Sequence, residues 1–299
     1  NYTKSFEYVL KSSNIHSMAK KQKEGFRVKD VTPFGTFIPY IMVERSDSQN
    51  TITDFFEIAP TEKLIKEMRA EGLDSFGVMH VILAAYVRMV SQRPRTNRYI
   101  RGQKIWARND IAVSLTIKRK MALDGEDTTV KMHFQPDYDI YDVYKEVNTS
   151  IEKAMQPNDT DKTAKVLCYI PGLVGKVVIK LLKTLDYFGL LPKFLIEASP
   201  FHCSMFITSM ASLNIPPIRH HLYNFGNCPL FIAFGAKRTI YDFNEDGEPF
   251  KKRVIDIVVN IDERTTDGYY WASSLKYFKS CMAHPEVLKS KPETVVKDW

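Results

Sequence analysis

The sequence predicts an α/β or α+β fold within one domain, and three observations support this prediction. Segments with helix-like and strand-like apolar spacing alternate irregularly along the 299 residues. Hydrophobic residues make up 44% and charged residues 26% of the chain, as is typical of globular domains. No repeat or low-complexity tract divides it. This composition excludes a disordered chain, a collagen-like chain and a disulfide scaffold.

The predicted elements follow from apolar spacing and from residues that start or stop helices. Apolar residues recur every three or four positions after Pro33, which predicts a short amphipathic helix. Thr61 is expected to cap a second helix that Gly72 ends. Residues 76–92 are apolar on nearly every side, as in a buried helix, and Pro94 stops them. Further helices are predicted over 139–155, 173–188 and 269–282, and strands over 51–58, 104–108, 111–119, 128–134, 203–209, 229–235 and 254–261.

The N-terminal segment and the cysteines predict the domain organisation and the cellular compartment. We expect residues 1–25 to form a basic N-terminal arm and residues 26–299 to form a single domain. The N-terminal sequence NYTKSFEYVL has no apolar core of the signal-peptide type. No Cys-x-x-Cys pair is present, so we expect no metal, free thiols and a cytoplasmic location. The four cysteines are Cys168, Cys203, Cys228 and Cys281.

The most informative segment is 258–278, which reads VVNIDERTTDGYYWASSLKYF. A predicted strand runs into a turn with Asp262, then Asp267 and Gly268, then a helix. This resembles the Asp-His-Arg-x-x-Asp-Gly signature of the chloramphenicol acetyltransferase-like superfamily, especially the catalytic domain of dihydrolipoamide acyltransferases from 2-oxoacid dehydrogenase complexes. Four of the five specified positions match, and Glu263 stands in place of the catalytic histidine.

Other segments fall in the order of the same family, and the resemblance covers about residues 25–290. They are PYIMV at 39–43, the turn at 94–97, and SMFITSMASL at 204–213 followed by PLFIAFG at 229–235. The resemblance implies an α/β fold (an α+β two-layer sandwich), with a mixed sheet covered by helices and without a lipoyl or subunit-binding domain. It also implies a homotrimer with its site between subunits, which transfers an acyl group from CoA or another thioester to an unidentified acceptor.

Positions within the family pattern suggest site residues. Asp267 is expected to shape the site, and Thr208 or Ser209 to hold the oxyanion, with Glu263 in the general-base position. A glutamate carboxylate is about two pKa units less basic than an imidazole, which weakens such chemistry roughly tenfold without forbidding it. In the alternative interpretation, Glu263 pairs with Arg264 or a neighbouring subunit's arginine. The protein is then a catalytically inactive trimer with a ligand-binding, partner-binding or structural role.

Four histidines need separate interpretation. His220 and His221 precede the PLFIAFG strand, and His221 is retained as a candidate relocated catalytic histidine. A packed or surface-paired histidine is the commoner outcome for such a pair. His202 precedes the predicted strand at 203–209 and has the same alternatives. His80 lies on the apolar helix and is expected to be a core residue.

A basic segment has three open interpretations. Seven basic residues and no acid lie between Arg88 and Arg108, with two aromatic residues interleaved. They could form a solvated surface or intersubunit contact, a site for CoA or another anion, or a nucleic-acid surface. The absence of helix-turn-helix, zinc and RRM motifs argues against nucleic acid as a partner.

Residues 173–188 are strongly amphipathic. Lys176, Lys180 and Lys183 share one side, and valines and leucines cover the other. Such a helix could pack on the domain, line a hydrophobic substrate channel, or contact a membrane surface.

Overall fold

A computed structural model describes residues 24–119, 125, 127–156 and 172–298. Within these residues, helices cover one face of a six-stranded mixed sheet, and a three-stranded sheet lies beside it. The strands are β1 (Gly25–Arg27), β2 (Gln49–Glu57), β3 (Arg98–Arg101), β4 (Lys104–Arg108), β5 (Ile111–Lys118), β6 (Asp127–Phe134), β7 (Met205–Ser209), β8 (Leu230–Phe243) and β9 (Pro249–Asp262). The helices are α1 (Pro33–Ile41), α2 (Ala59–Ala70), α3 (Val78–Gln92), α4 (Ile140–Met155), α5 (Gly172–Tyr187), α6 (Lys193–Ala198) and α7 (Gly268–Ala283).

The strand order of the large sheet is β2-β9-β8-β7-β5-β6, and that of the small sheet is β1-β4-β3. Strand β7 runs parallel to both β5 and β8, whereas the other neighbours are antiparallel. The predicted α/β fold with a mixed sheet covered by helices is therefore confirmed.

Alternation along the strands decides which face carries the core. On β9, Ile257, Val259 and Ile261 point to the helical layer and join the main hydrophobic cluster. Helix α3 supplies much of the opposing surface and is buried over almost its whole length, as its apolar sequence predicts. The intervening residues of the strands form the second face, which carries polar and aromatic side chains such as Asn260 and Phe231.

Most predicted elements are present, with two departures in detail. Helix α2 starts at Ala59, so Thr61 is buried inside its first turn and does not cap it. Strands β8 and β9 continue beyond the predicted 229–235 and 254–261 as a largely exposed hairpin. The sequence does not predict this extension, because apolar and polar residues do not alternate regularly along 236–243 and 249–253.

Strands β1 and β3 and helix α6 were not predicted. Strand β3 reads RYIR, and its arginines look solvated in sequence but are buried. Arg98 makes two 2.6 Å hydrogen bonds to Asp298, and Arg101 pairs with Glu24. Residues 1–23 of the predicted arm, and Cys168, lie outside the described residues.

Candidate active site

A buried ion pair closes the end of β9. Arg264 donates from Nε and Nη2 to the two carboxylate oxygens of Asp262 at 2.8 and 2.7 Å, and the side chains are 2% and 1% exposed. Ser48 Oγ donates to the same carboxylate at 3.0 Å. Arg264 Nη1 also donates to the carbonyl oxygens of Met42 and Val43, both at 2.9 Å. The pair therefore joins the end of β9 to the chain that leaves α1.

Glu263 follows Asp262 and is only partly buried. Its backbone N–H donates to Ser48 O at 3.0 Å, and its Oε2 accepts a 2.7 Å hydrogen bond from Asn50 Nδ2. The interpretation in which Arg264 pairs with Glu263 is wrong within one chain, because Arg264 binds Asp262. Since the ion pair fixes the backbone on both sides, Glu263 is presented in one orientation at the end of the sheet.

Asp267 has a local structural role. It is the N-cap of α7, and its Oδ1 accepts a 2.9 Å hydrogen bond from the backbone N–H of Tyr270. An N-cap carboxylate satisfies a free N–H and complements the positive end of the helix dipole. Asp267 is exposed, and it sets where α7 begins after the turn that contains Glu263.

The two candidate hydroxyl residues on β7 lie on opposite faces of the sheet. Thr208 lies opposite Ala233 of β8, and Ser209 lies opposite Phe234. Directly opposite residues on neighbouring strands share a face. Phe234 belongs to the core beneath the helices. Ser209 therefore faces the helical layer, and Thr208 lies on the second face.

A histidine covers the same second face. The ring of His220 stacks on Phe231 with a centroid distance of 4.2 Å, and Phe231 stacks on Phe206 at 5.0 Å. Thr208 follows Phe206 by two residues, so the three rings and the Thr208 side chain share this face. Gln49 Nε2 donates to the His220 carbonyl at 3.2 Å and holds the loop in place.

The adjacent histidines differ in environment. His220 Nε2 is buried and has no hydrogen-bond partner in the part of the chain that the structure describes. Burial, and then the nearby His221, lower the pKa of His220 and favour its neutral form. His221 is exposed, and its ring makes an edge contact with Tyr223 at 5.0 Å. The structure thus places His220, rather than His221, over the face that carries Thr208.

One chain does not bring Glu263 and Thr208 together. Asn50, the partner of Glu263, lies on β2 opposite Ile261, a residue of the core face. Thr208 lies on the other face of β7, and β9 and β8 separate the two strands. Three strand spacings amount to about 14 Å. A site that uses both groups needs a second copy of the chain.

Of the four histidines considered in the sequence analysis, His202 and His80 have structural roles. His202 is buried between Ser199 Oγ, 2.8 Å from Nδ1, and Asp186 Oδ2, 3.3 Å from Nε2, and burial lowers its pKa. His80 Nδ1 accepts a 3.1 Å hydrogen bond from the backbone N–H of Gly77, and burial lowers its pKa to about 4. His80 is therefore a neutral core residue, as its position on the apolar helix predicts.

Of the seven basic residues only Arg95 and Lys104 are exposed, so most of the basic segment is not the solvated surface that one interpretation expected. Its four most buried arginines are each less than a tenth exposed: Arg88, Arg98, Arg101 and Arg108. Glu24 pairs with Arg101 and lies 3.6 Å from Arg108, and Arg88 donates to the Val287 carbonyl at 3.1 Å. These cations are used inside the chain, so they are not displayed for a nucleic acid or another phosphate ligand.

Exposed cations remain around a neighbouring shallow pocket of about 80 Å³. Arg27, Lys29 and Lys104 line it together with Pro39 and other residues of α1. Cations that border a pocket can neutralise a bound anion. This pocket is the candidate phosphate-binding region of the chain.

Sequence reasoning missed an ion-paired histidine on β6. His133 Nδ1 lies 2.7 Å from Asp110 Oδ2, and Nε2 lies 3.2 Å from Glu197 Oε2. The hydrogen bond with Asp110 raises the pKa of His133. The three side chains come from separate segments of the chain, so no local sequence pattern predicts that they meet. Within the described residues, no group of His, Cys, Asp and Glu side chains is arranged to hold a metal ion.

Comparison with known proteins identifies the fold. No family profile matches the chain, and no curated protein matches it. Solved structures do match. A probable dihydrolipoamide acetyltransferase from Listeria monocytogenes has a TM-score of 0.53 at 14% identity, over 90% of this chain and 99% of that one. A chloramphenicol acetyltransferase has a TM-score of 0.54 at 14% identity, over 86% of this chain and 99% of that one.

A truncated catalytic core of the 2-oxoacid dehydrogenase multienzyme complex from Thermoplasma acidophilum also matches, with a TM-score of 0.50 at 10% identity, over 86% and 98% of the two chains. The chain therefore has the chloramphenicol acetyltransferase-like fold. More particularly, it has the fold of the catalytic cores of 2-oxoacid dehydrogenase acyltransferases.

Proposed function

We propose that the protein is an acyltransferase that works as a homotrimer and transfers an acyl group from CoA or a related thioester to a hydroxyl or thiol acceptor. One observation carries this proposal: the buried Asp262–Arg264 pair presents Glu263 at the end of β9, hydrogen-bonded to Asn50 and, among the described residues, not to an arginine. The acyltransferases that share the fold add support.

Glu263 and Thr208 supply the protein groups that the proposed acyl transfer uses. The carboxylate of Glu263 takes the proton of the acceptor, whose oxygen or sulfur attacks the thioester carbonyl carbon. The Thr208 hydroxyl donates a hydrogen bond to the resulting oxyanion and keeps its proton. Collapse of the tetrahedral intermediate breaks the carbon–sulfur bond, and the departing thiolate recovers the proton from Glu263.

The separation of the two groups supports a site shared between subunits. In one chain Glu263 and Thr208 lie on opposite faces, and β2, which carries the Glu263 partner Asn50, lies about 14 Å from β7, so Glu263 of one subunit would act with Thr208 of the next. We place the phosphates of CoA near Arg27, Lys29 and Lys104, because these cations border a pocket beside α1. The free, buried thiols of Cys203, Cys228 and Cys281 agree with a reducing compartment such as the cytoplasm.

Calorimetric titration with CoA and acetyl-CoA tests the proposal. We expect binding in the micromolar range, and acetyl transfer to a thiol acceptor that Glu263→Gln lowers about a hundredfold or more. The matched control is Glu248→Gln, an exposed carboxylate in the distant β8–β9 turn. Absence of binding, or unchanged turnover in Glu263→Gln, would contradict the assignment.

A second candidate for the base is His220. Its ring covers the face of Thr208, and its buried Nε2 has no partner in the described chain. His220→Gln and His221→Gln form a matched pair, because only the first ring lies over this face. Selective loss of activity in His220→Gln, with Glu263→Gln unaffected, would move the base to His220. If neither histidine variant changes the affinity for CoA and no acyl transfer is detected, the alternative of an inactive, ligand-binding trimer is correct.

A further inference from the structure

Helix α5 exposes apolar side chains on its outer side. Leu173, Val177 and Leu181 recur every four residues and are 79%, 67% and 55% exposed. The opposite side, with Val178 and Leu182, is only half-buried, and no residue of α5 is buried. Packing on the domain therefore accounts for one side of the helix and leaves the other without a partner among the described residues.

A row of lysines borders this apolar row. Lys176, Lys180 and Lys183 lie on the adjacent side of α5, and all three are exposed. The one acidic residue of the helix, Asp186, turns inward, where its carboxylate lies 3.3 Å from His202. The outer part of α5 therefore combines an apolar row with a positive charge that no acidic residue of the helix offsets.

Helix α1 adds a second apolar face. Phe34, Phe37 and Ile41 are 72%, 63% and 61% exposed, and no charged residue occurs within the helix. Its inner side is held by Gln103, whose Nε2 donates to the Pro39 carbonyl at 2.7 Å. Exposed aromatic residues of this kind occur on helices that lie in a membrane interface.

The two helices flank one tight turn. Gln103 contacts α1, and the preceding residue, Gly102, lies against α5, because a Cβ there would be 2.9 Å from the Tyr187 carbonyl oxygen. The β3–β4 turn thus separates two helices that both expose apolar residues. We call the outer sides of these helices the α1–α5 surface: Phe34, Phe37, Ile41, Leu173, Val177 and Leu181.

We propose that the α1–α5 surface binds an anionic lipid bilayer, with the lysines of α5 at the phosphate level. Charge complementarity favours this occupant, since basic residues beside an apolar row match acidic headgroups above acyl chains. The net charge of +7 adds long-range attraction to such a surface. No helix in the described ranges is long and apolar enough to cross a membrane, so α1 and α5 would lie in the interface plane.

Co-sedimentation of the full chain with vesicles tests this inference, which does not depend on the acyl-transfer proposal. We expect binding to phosphatidylcholine vesicles that contain about one third phosphatidylglycerol, and weak binding to phosphatidylcholine alone. Val177→Asp/Leu181→Asp and Lys176→Glu/Lys180→Glu should each lower the partition coefficient about tenfold or more. These side chains are exposed, so the variants retain the core.

The matched control is Lys63→Glu/Lys66→Glu on α2, which makes the same charge change at exposed positions elsewhere. It should retain most of the binding. Equal loss in both lysine variants, or no binding by the unmodified chain, would overturn the inference. Light scattering without lipid provides a second readout: dissociation of an oligomer by Val177→Asp/Leu181→Asp would assign this surface to subunit contact and refute lipid binding.

Discussion

Arg264→Ala should destabilise the protein far more than the loss of an exposed arginine that makes the same two hydrogen bonds. The variant removes both hydrogen bonds to Asp262 and leaves that carboxylate, 1% exposed, with Ser48 and the backbone N–H of residue 264. An uncompensated buried charge costs about 3–5 kcal/mol. At about 2–4 °C per kcal/mol, the melting temperature should fall by roughly 6–20 °C.

The control is Arg238→Ala. Arg238 makes the same two-bond contact to Asp256, at 2.6 and 2.7 Å, but the pair is 49% and 21% exposed. Its loss should cost about 0–1 kcal/mol. Urea unfolding followed by tryptophan fluorescence measures both, and Asp262→Asn should restore part of the loss in Arg264→Ala. Equal costs for the two arginine variants would refute the claim that burial decides the strength of the pair.

Two further predictions concern His133 and the β3–β4 turn. Asp110 raises the pKa of His133 above 6.5 in the folded protein. Protonated His133 therefore stabilises the fold fully below about pH 6.5, and this contribution is lost as the pH rises through the pKa of His133 in the folded protein. His133→Gln should flatten the pH dependence of the free energy of unfolding above about pH 6.5; an unchanged slope would contradict this. Gly102→Ala should cost about 2–4 kcal/mol, since φ is +56° and the Tyr187 carbonyl blocks a Cβ. Gly247→Ala, at φ +79° in open space, should cost about 1–2 kcal/mol, and equal melting temperatures would show that the close contact adds nothing.

Apolar spacing was sufficient for the elements that are held against the core by their own side chains. The alternation of β6 and the all-apolar sequence of α3 predicted both correctly for this reason. Strand β3 escaped detection because its buried arginines depend on Glu24 and Asp298, which lie far away in the sequence. Thr61 was misread because a capping residue type cannot reveal that the helix starts two residues earlier.

The candidate site was only partly accessible from sequence. The motif located Glu263 and Asp267, but the partner of Glu263 is Asn50, 213 residues away. The choice between Thr208 and Ser209 depends on the face that each occupies, and strand pairing sets that face. No local pattern could supply either fact.

The contact between Arg98 and Asp298 has a consequence for synthesis of the chain. The two residues are 200 positions apart, so the guanidinium is made long before the carboxylate that neutralises it in the folded protein. At about 5–20 residues per second, the delay is at least ~10 s. Pairing of β2 with β9 spans a similar length. The large sheet therefore cannot be completed before β9 has been synthesised, and until then β2 lacks its neighbouring strand and exposes an unpaired edge that chaperones can bind.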